Sequence, residues 1–203
     1  NRKAEGAHGR IKRARQEMEL GGKGCKKMAE QYPGLRLALD RLLAHYRQDY
    51  QIQENASVGE IATAALARYR NVEEKTLFGF RLREGMLKSN ESGEAIAFLL
   101  AERLTPSVAA EMAALARKME EELLELSDRH GFTIFSVALL TRRVEKDGVV
   151  ALKRFRMQNQ YDFGWGMGRI AAFELDTGKA YFSGDGKPLA RLLTERLAGQ
   201  GDN

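Results

Sequence analysis

The apolar residues of this chain change period at Gly131, and that change narrows the folds open to it. Up to Gly131 they recur at three- and four-residue intervals, the spacing of one helix face. Beyond it they alternate every second residue between Gly-rich turns, the spacing of strands. The expected class is α+β: a helical N-terminal two thirds, a C-terminal three- to four-stranded antiparallel meander, and a final helix. Three regions follow from this reading: a basic N-terminal arm over 1–31, a helical region over 32–130, and the sheet with its closing helix over 131–203, packed on the helical region.

In the arm, Ile11, Ala14 and Met18 predict a helix from Ala7 to Leu20, ended by Gly21-Gly22-Lys23-Gly24. After Pro33-Gly34, the stripe Leu35, Leu39, Leu42, Leu43, Tyr46 and Tyr50 predicts a helix from Leu35 to Tyr50. Ser57 with Glu60 has the form of a capping box ahead of Ile61, Ala65 and Leu66. A second helix is expected from Val72 to Leu87. That pair carries a weak helix-turn-helix signal, weakened further because no Gly stands in the turn. A short helix should end at Leu104. Thr105-Pro106 is a capping hydroxyl followed by Pro at the first helical position, and it should start the longest helix, running to His130 with Gly131 just beyond its end.

The C-terminal third reads as strands. Phe132 to Val144 is apolar on both faces, as in a central strand covered on both sides. Lys146-Asp147-Gly148 reads as a hairpin leading to a strand with Ala151, Phe155, Met157, Tyr161 and Phe163 facing inward. Gly164 to Gly168 is the next connection. Strands over Arg169–Leu175 and Ala180–Phe182 flank an Asp176–Lys179 turn, and Lys187 to Leu197 is an amphipathic helix.

Charge is the other constraint. The chain of 203 residues carries a net charge of +5. Residues 1–30 hold nine Lys/Arg against four Glu, so the whole excess lies there and the rest is balanced. A basic arm on a neutral body points to a polyanionic partner, although a solvated tail would have the same composition. No apolar run approaches the ~20 residues of a membrane-spanning helix. The single cysteine, Cys25, excludes an internal disulfide and fits a cytoplasmic setting. The composition, rich in Ala, Leu and Arg, is of a bacterial type. The chain begins at Asn1 rather than Met, which leaves open a longer parent protein.

No chemical signature stands out. His8, His45 and His130 have no partners at ligand spacing, so neither a metal nor another cofactor is expected. Lysines flank Cys25, which favours its thiolate, but no base accompanies it. Gly164, Trp165, Gly166 and Gly168 form a candidate ligand loop, although a strand rather than a helix follows, so a hairpin or bulge explains the glycines better. Asp162, Glu174, Asp176 and Asp185 fall near strand ends, and turn chemistry accounts for the last two.

These features point to a non-enzymatic protein that holds DNA or RNA. The candidate contacts are Arg10, Lys12, Arg13, Arg15, Lys23, Lys26 and Lys27 of the arm, with Arg142, Arg154 and Arg156 on a sheet face where Gln158 and Gln160 add hydrogen-bonding groups. Two other readings stand beside it. One is an adaptor or regulator forming a homodimer through the 105–130 helix. The other is an enzyme binding a phosphorylated ligand at the 164–168 loop.

Overall fold

A computed structural model describes residues 32–73, 76–77, 80–81 and 90–197. The arm, with the helix expected in it, and Cys25 lie outside the described residues. Helix α1 (Pro33–Tyr46) is followed by strands β1 (Gln51–Glu54), β2 (Ser57–Val58), β3 (Ile61–Ala62), β4 (Ala65–Glu73), β5 (Thr76–Leu77), β6 (Phe80–Arg81) and β7 (Asn90–Leu104). Helix α2 (Pro106–Leu123), β8 (His130–Val144), α3 (Lys146–Arg154), β9 (Gln158–Gln160), β10 (Trp165–Glu174), β11 (Lys179–Phe182), a 3-10 turn (Gly184–Gly186) and α4 (Lys187–Leu197) complete the order.

Seven of the strands form one mixed sheet in the order β1-β4-β7-β8-β10-β11, with β9 alongside β10. The centre is parallel: β8 runs parallel to both β7 and β10. The pairs β1–β4, β4–β7, β9–β10 and β10–β11 are antiparallel. This is an α+β layout on a mixed sheet, and it overturns the expected helical N-terminal two thirds and antiparallel meander. The hairpin expected at Lys146-Asp147-Gly148 is the first turn of α3, and most of the strand expected after it is α3 and loop. Parallel neighbours need a crossover, and α2 and α3 supply the two. The chain steps in one direction from β7 to β8 to β10, so crossovers of one hand place both helices on one face.

Two cores result. On one face, Ala109, Met112, Leu115, Ala116 and Met119 of α2 and Leu152 of α3 pack on Ala97, Leu99, Phe135, Val137, Leu139, Ile170 and Ala172. On the other, Leu35, Leu39, Leu42 and Leu43 of α1 and Leu189, Ala190 and Leu193 of α4 pack on Ala65, Ala67, Ile96, Phe98, Leu100, Ala138, Leu140, Ala171 and Phe173. The apolar seam of α2, the helix offered above for self-association, is therefore buried against the chain's own sheet.

Tertiary pairing overrides local helix preference at several sites. Ala95 to Ala101 contains good helix formers, yet successive residues alternate between the two cores, which only a strand covered on both sides requires. The capping-box segment from Ser57 is a small β2–β3 hairpin turning at Gly59, whose φ is +56°. No helix pair occupies 57–73, so the helix-turn-helix signal has no counterpart there. The Thr105 start is as expected: its Oγ1 accepts the Val108 amide at 3.3 Å. That helix ends at Leu123, and His130 with Gly131 opens β8 instead of closing a helix. Among the described residues, no helix is long and apolar enough to cross a membrane.

Candidate functional site

The helices do not cover the sheet evenly. The core under α1 and α4 reaches only as far as Ile96, Ala138 and Ala171 toward the amino ends of the parallel strands. Beyond that line the same face continues with Glu94 on β7, Phe132 and Ile134 on β8, and Trp165, Met167 and Arg169 on β10. Phe132, Trp165 and Met167 are half-buried and belong to neither core. Phe132 and Trp165 are direct neighbours in the ladder, and their rings stack with centroids 5.1 Å apart and planes 16° apart. On the far side of β10, β9 sets Gln160 opposite Trp165 and Gln158 opposite Met167. Both glutamines are exposed, and Gln160 donates to the Gly164 carbonyl at 2.9 Å. At the β4 edge Tyr69 is 36% exposed and lies against Tyr50, with centroids 5.3 Å apart.

A polar cluster separates this aromatic strip from the core. The Glu94 carboxylate accepts the Tyr50 hydroxyl at 2.7 Å and the Ser136 hydroxyl at 3.2 Å. Burial, and secondarily the Glu94 charge, push the phenols of Tyr46 and Tyr50 well above the ordinary tyrosine range. Among the described residues, two buried polar atoms of this face, the Tyr46 hydroxyl and Arg169 Nε, have no hydrogen-bond partner.

On the opposite face of the sheet, beside the carboxyl end of α2, a cleft of about 460 Å³ opens at the amino ends of β7 and β8 over Ala95, Thr133 and Phe135. The cleft walls carry Arg68, Arg70, Glu91 and Glu125, and its floor is opened by Gly93. Arg70 pairs with Glu91 at 2.8 Å and with Glu125 at 2.6 Å, so these cations are largely neutralised. His130 is buried, with its ring nitrogens 2.8 Å from the Phe163 carbonyl and 3.0 Å from the Thr133 hydroxyl. Both nitrogens are occupied, so His130 ties the start of β8 to the turn before β10. Among the described residues, no group of three or more His, Cys, Asp or Glu could hold a metal ion.

The residues singled out from the sequence are not all brought together. Arg10, Lys12, Arg13, Arg15, Lys23, Lys26 and Lys27 lie outside the described residues. Arg142 lies near the carboxyl end of β8, 3.5 Å from Asp176. Arg154 ends α3, and Arg156 follows in the loop, donating to the backbone carbonyls of Lys153 and Phe155. Helix formation in place of the expected hairpin removes the shared basic sheet face. Gly164 sits in a turn with φ +77°, while Trp165, Gly166 and Gly168 are within β10. Gly166 and Gly168 admit close neighbours, since a Cβ there would sit 2.7 Å from the Tyr161 hydroxyl and from the Met157 sulfur. Glu174 pins the carboxyl end of the sheet, accepting the Val144 amide at 3.0 Å and the Thr177 hydroxyl at 2.6 Å. Phe132, Glu94, Tyr69 and Arg169 escaped the sequence reading. Finding them required the parallel β8–β10 pairing, which places Phe132 beside Trp165.

The arrangement defines a three-layer α+β protein in which the described residues leave one aromatic sheet face half uncovered. Residues 36–195 match the family described as a domain of unknown function (DUF8052), and the chain belongs to that family. Comparisons with curated proteins and with solved structures gave no match.

Proposed function

We propose that this protein binds single-stranded nucleic acid without catalysing a reaction on it, using the uncovered sheet face and the basic arm together. The observation that carries this reading is the Phe132–Trp165 stack, set on a sheet surface that neither core includes. Bases stack on aromatic side chains whatever their identity, and each such contact is worth about 1–3 kcal/mol. Unpaired bases alone expose a face for this, which favours a single strand over a duplex. Gln158, Gln160 and Arg169 add polar groups around the stack. The phosphates require cations, and the excess positive charge of the sequence lies in residues 1–30. The single cysteine accords with action in the cytoplasm.

Trp165 is the only tryptophan of the chain, so its fluorescence reports on this surface directly. Titration with short single-stranded oligonucleotides at low salt should quench it, with affinity falling steeply as salt rises. Deleting the arm should weaken binding and flatten the salt dependence. Absence of binding to any DNA or RNA strand at low salt would overturn the proposal.

A further inference from the structure

The aromatic strip has a negative acceptor at one side, an unexpected companion for a polyanion. We infer that Glu94 makes this surface selective for guanine, by accepting hydrogen bonds from the N1–H and the N2 amino group of a base resting on Phe132 and Trp165. This inference rests on the single-strand reading above.

Position comes first. Glu94 is in register with Ile134 and on the same face, and Phe132 is two residues earlier on β8. Strands lie about 4.8 Å apart and two residues span about 6.7 Å, so Glu94 and Phe132 are roughly 8 Å apart at their backbones. The edge of a base stacked on Phe132 therefore extends toward the carboxylate. Glu94 is also partly exposed on that face, so that edge reaches it from solvent.

Orientation comes second. The Tyr50 and Ser136 hydroxyls each hold one oxygen of the carboxylate. An ionised carboxylate offers about four acceptor sites, so each oxygen keeps one further lone pair. The side chain is thus a fixed double acceptor. Guanine is the base that presents two adjacent donors on its Watson–Crick edge. Adenine, cytosine and thymine or uracil place a ring or carbonyl acceptor beside their donor, and a carboxylate repels it. Repulsion equally keeps phosphate away, which reserves this position for a base.

The test uses an oligothymidine strand bearing at its centre one dG, one deoxyinosine, which lacks the N2 amino group, or thymidine throughout. Binding is followed by Trp165 fluorescence. The wild-type chain should bind the dG strand roughly tenfold more tightly than the inosine strand. Glu94→Gln turns an amide donor toward guanine and should erase the preference, while binding of the all-thymidine strand persists. Circular dichroism and the melting temperature verify that the variant folds, and Ser136→Ala, which loosens the carboxylate, should reduce the preference in the same sense. Equal affinity of wild-type protein for the guanine and inosine strands overturns the inference but leaves the single-strand reading standing. A preference retained in Glu94→Gln also overturns it. Failure of every strand to bind removes both.

Discussion

Gly148 in the first turns of α3 lies against the carbonyl of Leu104 at the end of β7, so closely that a Cβ would overlap the carbonyl oxygen. Among the described residues, Gly34 near the start of α1 has no atom beyond its chain neighbours and its own helix backbone within 4 Å of the corresponding position. One substitution should therefore have opposite effects at the two sites. Gly34→Ala should stabilise by about 0.5–1 kcal/mol through backbone entropy and helix propensity. Gly148→Ala gains the same helix propensity but forces α3 away from β7, and should destabilise by roughly 1–3 kcal/mol. Urea unfolding of the two variants checks the signs, and stabilisation by Gly148→Ala would contradict the packing described.

The seam of α2 is interior to the molecule. Met112 and Met119 are both fully buried in the core that α2 shares with the sheet. Met112→Ala should cost about 2–5 kcal/mol of folding stability. Light scattering on the folded protein should give the same mass for wild type and variant, because Met112 is buried in the chain's own core. A change of oligomeric mass with stability unaltered would restore the seam as an interface between copies.

The Tyr46 phenol keeps its proton far into alkaline pH, because of burial first and the Glu94 charge second. In the unfolded chain it ionises near the ordinary value of 10.0. Above that pH the folded state holds more protons than the unfolded one, so stability falls as pH rises, whereas below it this group has no effect on the pH dependence. Each pH unit above the ordinary value removes at most about 1.4 kcal/mol per such phenol. Tyr46→Phe should lessen the alkaline loss measured by urea unfolding at about pH 9 and about pH 11. Parallel stability curves for both proteins over that interval would refute the assignment.

Local signals served well where a single segment decides its own structure. Pro33 and the Leu35–Leu43 stripe announce α1, Thr105-Pro106 announces the start of α2, and Lys187 to Leu197 is α4. The turn expected over Asp176–Lys179 joins β10 to β11, with Gly178 at φ +66° and Lys179 already opening β11. Legibility failed where partners are distant. Ala95 to Ala101 carries apolar residues on every side, so periodicity cannot separate a buried strand from a buried helix, and its small residues favour the helix. Lys146 to Gly148 reads as a hairpin because Asp147-Gly148 is turn chemistry, yet Gly148 is there for the close approach to β7. The aromatic strip depended on the same missing information. Trp165 was visible as an unusual residue, but its neighbour Phe132 lies 33 positions away in sequence and meets it only through the β8–β10 ladder.

The parallel centre of the sheet also sets the order in which the molecule can assemble. Strand β8 gains its two neighbours only after the chain has closed two crossovers, through α2 and through α3. Closing such loops costs entropy before any long-range contact repays it, so collapse is slower here than in a helical bundle of equal size. Until both crossovers close, the central strand of the sheet, with Ile134 to Leu140 buried on both faces, has an open edge. The step most exposed to misassociation during synthesis is therefore the arrival of β10, which follows β8 after twenty residues of translated chain.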